Sequence, residues 1–260
     1  LSYSMRVSVI TVCFNSKSTI ADTLRSVSSQ SYKEIEHIIV DGGSHDGTID
    51  LVKRHGHRVQ KFVTGPDKGI YDAMNKGLAL ATGDYVAYLN SDDFYCHNTI
   101  IQQVVAAIQK TASDVIFGDL SYVQRENPKQ RVRYWKSRAF QQGSFAKGFS
   151  PPHPTFFMKR ELLVGLGGFD LSYSLASDFD LMFRALEIKK YTSTYLPVEL
   201  THMRTGGATN LSIQNIVRQN MEILKCLRTH NLSISTAGFA VRKIISRISQ
   251  RYFKPRAIRP

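Results

Sequence analysis

The chain has 260 residues, of which 42% are hydrophobic, and this is enough apolar material for a full core. Its formal net charge of +13 comes from 34 Lys and Arg against 21 Asp and Glu, and it indicates an anionic partner such as a phosphorylated ligand, a membrane surface or nucleic acid. Its three scattered cysteines indicate neither a disulfide framework nor a zinc motif, and without an apolar run of about 18 residues or a signal-peptide pattern we expect a cytoplasmic protein with no membrane-spanning helix.

The first half of the chain alternates between strand and helix patterns. Runs rich in β-branched residues predict strands at 6–13, 36–41, 59–64 and 85–89. Apolar residues at helical spacing predict a helix capped by Ser18 and further helices at 47–54 and 71–81. This alternation predicts an α/β fold with a mainly parallel sheet covered by helices.

The second half is less regular. Strand patterns occur at 114–118, 132–135 and 192–196, and helix patterns at 178–187, 212–229 and 237–253. The Pro-Pro-His-Pro-Thr segment at 151–155 argues against a helix or a central strand there. No linker-like tract or internal repeat divides the chain, so one domain with a tail is the expected organisation.

Acidic residues follow three of the predicted strands. Asp41 ends the second strand, Asp92 and Asp93 follow the fourth, and Asp119 follows the fifth. Ligands of open α/β sheets bind outside the carboxyl ends of the strands. Adjacent carboxylates repel one another unless a cation or hydrogen-bond donors lie between them, and a divalent ion bound to a diphosphate would use such a pair. The alternative, which spacing alone leaves open, is that residues 90–93 cap the next helix.

Other motifs narrow the function less sharply. The absence of GxGxxG after the first strand and of GxxxxGK[ST] removes the main support for dinucleotide oxidoreductases and P-loop enzymes. Asp178 falls in the first turn of a predicted helix, where it is either a functional carboxylate or a charge that favours the helix dipole. His153 and His202 are single histidines, which are commonly surface residues or satisfied by local partners.

Taken together, several segments resemble family 2 glycosyltransferases of the GT-A fold, and the resemblance runs from about residue 6 to about residue 210. The segment Gly-Ile-Tyr-Asp-Ala-Met-Asn is similar to the branch that builds bacterial O-antigen, colanic acid and other exopolysaccharides. The matching segments, which agree in order and spacing, lie at 7–15, 38–48, 65–77, 81–93, 153–157, 167–170 and 176–184.

The resemblance implies a GT-A, Rossmann-like catalytic domain at 5–210, with a nucleotide-sugar half at about 5–120 and an acceptor half at about 121–210. Residues 211–260 would then form C-terminal helices that serve as a membrane-association tail. The implied activity is inverting transfer from a UDP-hexose or UDP-N-acetylhexosamine to a hydroxyl of a lipid-linked saccharide.

Roles in donor binding also follow from the resemblance. Thr11, Asn15 and Asp41 would line the nucleoside pocket, with Asp41 facing the base, and Asp67 and Asn75 would add donor contacts.

The acidic motif would hold Mn²⁺ or Mg²⁺ together with the ribose and diphosphate through Asp92 and Asp93. Asn90 stands where the family often has Asp, so the motif is one carboxylate short, and which of the two aspartates binds the ion directly stays open. His202 would be a further contact to an ion or the diphosphate.

The remaining implied roles concern the reaction itself. Asp178 matches the position of the catalytic base, and His153 falls near the acceptor. A base can accept the proton of the acceptor hydroxyl, and a divalent ion can stabilise the leaving diphosphate.

Two other classes of function remain as alternatives. A metal-dependent nucleotidyltransferase would also use carboxylates, a metal ion and an α/β sheet, but the segment at 14–17 makes a poor phosphate-binding loop. A basic nucleic-acid-binding protein would explain the charge, but it would leave strand-end carboxylates facing a polyanion. We therefore expect no nucleic-acid partner, while a homo-oligomer is compatible with the sequence.

The C-terminal residues form a basic amphipathic pattern. Apolar residues recur at helical spacing, Lys and Arg run along a neighbouring face, and no Asp or Glu follows Glu222. Such a helix is typical of binding to anionic lipid, so we expect a peripheral protein on the inner face of the bacterial plasma membrane. The alternative is packing on the catalytic domain or on a second subunit. The stripe comprises Val241, Ile244, Ile245, Ile248 and Tyr252, and the basic face comprises Lys243, Arg247, Arg251 and Lys254.

Overall fold

The computed structural model describes residues 4–206 and 213–230. The strands are β1 Val7–Cys13, β2 Ile35–Asp41, β3 Val59–Thr64, β4 Tyr85–Tyr88, β5 Phe94–Tyr95, β6 Val115–Val123, β7 Arg131–Trp135, β8 Phe157–Lys159 and β9 Ser193–Arg204. The α-helices are α1 Ile20–Ser28, α2 Thr48–His55, α3 Ile70–Leu80, α4 Ile100–Thr111, α5 Arg160–Gly165, α6 Ser177–Phe183 and α7 Ile213–Thr229. One π-helical turn, Arg184–Ile188, continues α6.

Nine strands of the described residues form one sheet in the order β3-β2-β1-β4-β8-β6-β9-β5, with β7 paired to β6. Strands β3, β2, β1 and β4 run parallel to one another, and so do β6 and β9. Strand β8 is antiparallel to both β4 and β6 and joins these two parallel parts. The expected α/β class with a parallel, helix-covered sheet is therefore confirmed.

Helices cover both faces of the sheet because side chains of the strands alternate between them. Ile10 of β1 packs in one core cluster with residues of α3, α6 and α7, and Val9 packs in the other with residues of α4. Helix α7 contributes Ile223, Cys226 and Leu227 to the first cluster, so it is part of the same core. The parallel strands are buried over their whole length in β1 and β2, as their near-continuous apolar runs predict.

Most predicted elements are confirmed, and the differences bear on the site. Helix α1 begins at Ile20, so Thr19 rather than Ser18 occupies the N-cap position. Strand β6 runs to Val123, which places Asp119 inside the strand and not after it. The helix that follows the acidic motif begins only at Ile100, so the alternative that residues 90–93 cap it is wrong. Residues His153–Thr155 form a single 3-10 turn, so the prediction that the proline pattern excludes a helix there is wrong for this short turn.

The predicted helix at 237–253 and the basic amphipathic tail lie outside the described residues. Within the described ranges, no helix combines the length and the apolar character needed to cross a membrane.

Candidate active site

The carboxyl ends of four parallel strands meet at one edge of the sheet, and the loops that follow them lie side by side. Backbone hydrogen bonds join these loops: the Gly42 N–H donates to Cys13 O at 2.9 Å, and the Gly65 N–H donates to Asp41 O at 3.0 Å. Ser16 and Ser91 connect the first and fourth loops through their hydroxyls at 2.8 Å. The loops after β1, β2, β3 and β4 therefore form one connected rim, as expected for the ligand side of a parallel sheet.

The carboxylate of Asp41 is turned into the protein and fully engaged. Its oxygens accept hydrogen bonds from the backbone N–H groups of Gly43 and Ser44 at 3.0 and 2.9 Å, from the hydroxyls of Ser44 and Thr64 at 2.5 and 2.7 Å, and from the Cys13 thiol at 3.4 Å. Burial raises its pKa, but these donors outweigh that effect and hold the pKa below the ordinary value. Asp41 therefore organises the loop that follows β2 from within.

Thr11 and Asn15 also make contacts within the protein. Thr11 is fully buried in β1, and its hydroxyl lies 3.1 Å from Nε2 of His37 on β2. Asn15 adopts a left-handed backbone conformation with φ of 48°, which Asn tolerates better than most residues. Its side-chain oxygen accepts a hydrogen bond from the His45 N–H at 3.1 Å, and its own N–H donates to Ser44. Asn15 thus shapes the rim, and Thr11 lies beneath it.

Phe14 and Asp67 lie beside the same point at the rim, next to Gly42. Phe14 exposes 59% of its surface, which is unusual for a ring that directly follows a buried strand. Asp67 lies in the loop after β3, where its Oδ1 accepts a hydrogen bond from the Gly69 N–H at 2.9 Å. The sequence analysis named Asp67 as a donor contact but did not single out Phe14. The signal that could have found Phe14 is its position as an aromatic residue directly after the first strand.

The two aspartates of the acidic motif have different environments. Asp93 is completely buried, and its Oδ1 accepts a long hydrogen bond from the Arg204 N–H at 3.3 Å, whereas its Oδ2 is buried without a partner among the described residues. Burial and the neighbouring charge of Asp92 raise the pKa of Asp93 well above its ordinary value. Asp92 is partly exposed, and its Oδ2 lies 3.5 Å from Nη1 of Arg125.

Arg204, which the sequence reasoning did not single out, supports this motif from the end of β9. The buried guanidinium donates to the backbone oxygen of Asp92 at 2.8 Å, forms an ion pair with Asp22 of α1 and lies 4.9 Å from the centre of the Phe94 ring. It therefore fixes the loop from below while the Asp92 carboxylate points outward. No local pattern reveals this role, because Arg204 and the loop are 111 residues apart.

The acidic motif suits a divalent cation. Carboxylate oxygens are the ligands that Mg²⁺ and Mn²⁺ prefer, and Mg²⁺ is commonly held by one or two carboxylates together with phosphates of the substrate. Asp92 offers an accessible carboxylate at the rim, where it already pairs with one positive group, the guanidinium of Arg125. Asp93 adds negative charge and an unpartnered oxygen behind it. The residues present therefore fit the group that the resemblance implies.

A second carboxylate, Asp178, lies at the start of α6 and is half-buried. Tyr71 of α3 donates a hydrogen bond to its Oδ1 at 3.1 Å. Burial, together with the charge of Asp178, raises the pKa of Tyr71 well above its ordinary value, so the phenol keeps its proton and remains a donor. The sequence predicted the carboxylate, while the long-range partner on α3 was found only in the structure.

An aromatic cluster connects Asp178 to the strand that leads into the acidic motif. Phe169 stacks on Tyr71 at 5.3 Å between ring centres and meets Tyr88 of β4 edge-on at 5.0 Å. His153 stacks on Tyr88 at 5.7 Å between ring centres. The negative charge of Asp178 raises the pKa of His153, but burial has the larger effect and holds this pKa below its ordinary value. The imidazole of His153 and the carboxylate of Asp178 therefore lie in one neighbourhood.

Two other predicted site residues have local partners. The side-chain amide of Asn75 donates to Phe169 O at 2.9 Å and accepts from the Phe169 N–H at 2.8 Å, so it positions the aromatic cluster. His202 lies on β9 with its Nε2 2.9 Å from Glu199, and these two form, with Cys96, a group whose side-chain atoms lie within 4.8 Å of one another. The structure thus pairs His202 with Glu199, and the His202 ring meets Phe94, the residue that follows the acidic motif, edge-on at 5.2 Å between ring centres.

Asp119, expected at a strand end, is buried inside β6. It accepts hydrogen bonds from the hydroxyls of Tyr134 and Tyr195 at 2.5 and 2.8 Å and from the Ser137 N–H at 2.7 Å. Burial raises its pKa above the ordinary value despite these donors. Asp119 therefore anchors β7 and β9 and lies away from the rim.

The family model for glycosyl transferase family 2 matches residues 8–165, which include the strand-end loops and the acidic motif. The chain belongs to glycosyl transferase family 2. This membership decides against the nucleotidyltransferase and the nucleic-acid-binding protein that the sequence left as alternatives.

Relatives and solved structures agree with this assignment. The uncharacterized glycosyltransferase Rv1514c of Mycobacterium tuberculosis is 33% identical over 184 residues, which cover 69% of this chain and 68% of that protein. The Escherichia coli UDP-Glc:alpha-D-GlcNAc-diphosphoundecaprenol beta-1,3-glucosyltransferase WfaP is 38% identical over 99 residues, or 38% of this chain and 39% of WfaP.

Two solved structures share the fold. S. aureus TarS 1–349 in complex with UDP-GlcNAc has a TM-score of 0.66 at 18% identity and covers 92% of this chain and 70% of its own. The mannosyltransferase PcManGT of Pyrobaculum calidifontis, in complex with GDP-Man and Mn²⁺, has a TM-score of 0.65 at 20% identity and covers 94% of this chain and 69% of its own.

Proposed function

We propose that this glycosyltransferase is an inverting hexosyltransferase that uses a UDP-hexose or UDP-N-acetylhexosamine. The acceptor is a hydroxyl of a lipid-linked saccharide in the synthesis of a bacterial surface polysaccharide, of the O-antigen or exopolysaccharide type. The observation that carries the proposal is the half-buried carboxylate of Asp178, held by Tyr71 and joined through the aromatic cluster to the strand that ends at the acidic motif.

The donor binds in the cleft above the carboxyl ends of β1 to β4. Phe14 offers an exposed ring face on which a base can stack, a contact that generally contributes about 1–3 kcal/mol. Asn15 and the loop organised by Asp41 shape the rim, and Asp67 lines the nucleoside cleft. Complexes of structural neighbours with UDP-GlcNAc and GDP-Man support a nucleotide sugar as donor.

Asp92 would hold the divalent ion, Mn²⁺ or Mg²⁺, and Asp93 would support the loop from within. When bound, such an ion stabilises the negative charge of the leaving diphosphate as a Lewis acid. The partly exposed Asp92 carboxylate supports this assignment, as does the Mn²⁺ in the complex of PcManGT. Arg125, 3.5 Å from Asp92 on the segment that follows β6, brings a second positive charge to the same place.

Asp178 would act as the general base. Its carboxylate accepts the proton of the acceptor hydroxyl as that oxygen attacks C1 of the donor sugar, and the bond from C1 to the diphosphate oxygen breaks. Tyr71 holds one carboxylate oxygen, which leaves the other to receive the proton. A single base opposite the leaving group inverts the configuration at C1, so an α-linked donor would give a β-linked product.

Charge supports an anionic, lipid-linked acceptor. Residues 125–138 hold six Lys or Arg and only one acidic residue, Glu126, and this segment includes β7. The match to WfaP, whose name specifies a diphosphoundecaprenol-linked acceptor, points to the same class of substrate. The basic tail would then keep the enzyme on the cytoplasmic face of the membrane, where such an acceptor is accessible.

The proposal is tested by incubating the purified protein with a panel of nucleotide sugars, Mn²⁺ and GlcNAc-diphosphoundecaprenol, and by analysing the lipid products. We expect one UDP-sugar to extend the acceptor through a β-linkage and the reaction to stop in excess EDTA. Absence of transfer from every donor, or an α-linkage formed from an α-linked donor, would contradict the proposal.

A further inference from the structure

Helices α6 and α7 bring together three side chains that are common metal ligands and that the proposed reaction does not use. The ligand atoms of Asp180, Cys226 and His230 lie within 4.8 Å of one another. Asp180 lies on α6, Cys226 lies near the end of α7, and His230 directly follows α7. The sequence shows no metal-binding motif here, because 46 residues separate Asp180 from Cys226.

The end of α7 places Cys226 and His230 on one face. The His230 N–H donates to Cys226 O at 3.3 Å, which continues the helical hydrogen bonding by one residue. Side chains four residues apart in a helix lie one above the other. The imidazole of His230 also packs on the Phe183 ring of α6, at 5.1 Å between ring centres, and this contact directs it toward α6.

A single oxygen of Asp180 faces both of these side chains. Its Oδ1 lies 3.5 Å from Sγ of Cys226 and 3.9 Å from Nε2 of His230. A tetrahedral Zn²⁺ ion, with bonds of about 2.3 Å to sulfur and about 2.0 Å to oxygen, separates these two ligand atoms by about 3.5 Å. The thiol and the carboxylate therefore already have the spacing of two zinc ligands. The imidazole would need to approach by only about half an ångström.

Arg184 holds the other oxygen of Asp180. Its Nε donates to Oδ2 at 2.7 Å, while its Nη1 and Nη2 donate to Leu166 O and Gly168 O, each at 2.7 Å. The carboxylate is therefore fixed with Oδ1 facing the thiol and the imidazole. A hydrogen bond of this kind to a ligating carboxylate orients it and increases metal affinity.

The cluster is closed at one end and open at the other. Cys226 and Asp180 are buried, whereas the side chain of His230 exposes 26% of its surface. An ion would therefore enter past the imidazole, and a water molecule could occupy the fourth position. Burial and the charge of Asp180 raise the pKa of the Cys226 thiol, so without an ion the thiol keeps its proton and donates to Asp180.

We propose that Asp180, Cys226 and His230 bind a Zn²⁺ ion that fixes α7 to α6. One thiolate, one imidazole and one carboxylate suit Zn²⁺, whereas the two aspartates of the acidic motif suit the harder Mg²⁺ or Mn²⁺. On binding, the Cys226 thiol releases its proton to solvent, and sulfur, imidazole nitrogen and carboxylate oxygen each donate an electron pair to the ion. The inference goes beyond the proposed function and does not depend on it.

The experiment titrates the 260-residue protein, freed of metal with a chelator, first with Co²⁺ and then with Zn²⁺. Co²⁺ bound to a thiolate absorbs strongly in the near ultraviolet, so we expect one equivalent of Co²⁺ to produce this band and Zn²⁺ to abolish it. Cys226→Ser should lose the band. His230→Gln, at a partly exposed position, should weaken binding at least 10-fold, because even losing a partner of a ligand commonly costs about 10- to 100-fold in affinity.

Cys96→Ser is the matched control, since Cys96 forms a second group of possible ligands with Glu199 and His202. It should keep the band, and the acidic motif, which has no thiol, should give none. Zn²⁺ should also raise the Tm of the wild type but not that of His230→Gln, because an ion that binds only the folded state stabilises it.

A wild type that shows no band, or a band that survives in Cys226→Ser and is lost in Cys96→Ser, would overturn the inference. A Tm of the wild type that does not respond to Zn²⁺ would do the same. None of these outcomes bears on glycosyl transfer, so the proposed function would stand in each case.

Discussion

The carboxylates near the ligand edge of this sheet lie in two layers that differ in burial and in their hydrogen-bond or ionic partners. The inner layer consists of Asp41 and Asp93, which are both buried. Asp41 accepts hydrogen bonds from its own loop, and Asp93 accepts one from the backbone of Arg204 on β9. The outer layer consists of Asp67, Asp92 and Asp178, which are partly exposed. Each of these carboxylates has one partner among the described residues, and the partners are the Gly69 N–H, Arg125 and Tyr71, respectively.

The difference separates residues that build the loops from residues that meet ligands. A buried charge is tolerated only when donors or opposite charges surround it. Asp41, which has five donors, therefore has little capacity left for a substrate, whereas Asp93 is shielded from a substrate by its complete burial. An outer carboxylate keeps an oxygen for a base, a cation or a proton. Sequence position alone does not distinguish them, because Asp92 and Asp93 are adjacent.

The sharpest test of the outer layer uses two aspartates on one helix. Asp178→Asn should reduce transfer by about 10²- to 10⁴-fold, the usual contribution of a general base, with donor binding unchanged. Asp180, two residues further on, is buried and pairs with Arg184 at 2.7 Å, so Asp180→Asn should lower Tm far more than Asp178→Asn does. The measurements are kcat with saturating donor and thermal unfolding. An Asp178→Asn enzyme with most of its kcat would remove the residue from the role of base.

The inner layer should respond in stability. Asp41→Asn replaces an acceptor by an amide donor and leaves several buried donors of the loop without a partner, which we expect to cost about 3 kcal/mol of unfolding free energy. Urea denaturation measures the change, and Asp72→Asn, at a partly exposed aspartate on α3, serves as the control. A variant as stable as the wild type that nevertheless loses UDP binding would place Asp41 in the outer layer.

A buried histidine beneath the inner layer makes stability depend on pH. Burial and the charge of Arg58 lower the pKa of His37 from its ordinary value of 6.5 to about 3, so the folded state binds fewer protons than the unfolded state between these values. The contribution of His37 to the free energy of unfolding is therefore fully present above pH 6.5. Below that pH it should decrease by about 1.4 kcal/mol per pH unit. We expect His37→Gln to flatten the dependence between pH 6.5 and 4.5. The exposed His97→Gln should leave it unchanged, and equal slopes in all three proteins would refute the assignment.

The smallest expected effect concerns how Asp178 is held. Tyr71→Phe keeps the stacked ring but removes the hydrogen bond, and we expect kcat to fall about 10-fold with the KM for the donor unchanged, near the lower end of the effect of one hydrogen bond to a charged group. Tyr195→Phe removes a Tyr–Asp bond of the same kind at Asp119, outside the site. A fall in kcat of the same size in both variants would indicate a general loss of structure and not positioning of the base.

Sequence reasoning recovered the first half of the fold well because its strands are buried apolar runs and its helices have clear periodicity. It placed Asp41 at the end of β2 and Asp92 and Asp93 after β4, because the spacing of these residues relative to the strand ends is local. It missed the full length of β6, since a buried acid such as Asp119 interrupts the apolar pattern and its three donors come from distant segments. It also missed Arg204 and the partners of Asn75, because contacts over such separations leave no periodic signal.

The adjacent residues Asp92 and Asp93 test the two-layer account most directly. UDP binding is measured by calorimetry with and without Mn²⁺ for Asp92→Asn and Asp93→Asn. The account predicts that Asp92→Asn loses the increase in affinity that Mn²⁺ provides, while Asp93→Asn, whose side chain is buried against Arg204, keeps most of it. Loss of the Mn²⁺ effect in Asp93→Asn with its retention in Asp92→Asn, or equal loss in both, would contradict the division into an inner and an outer layer.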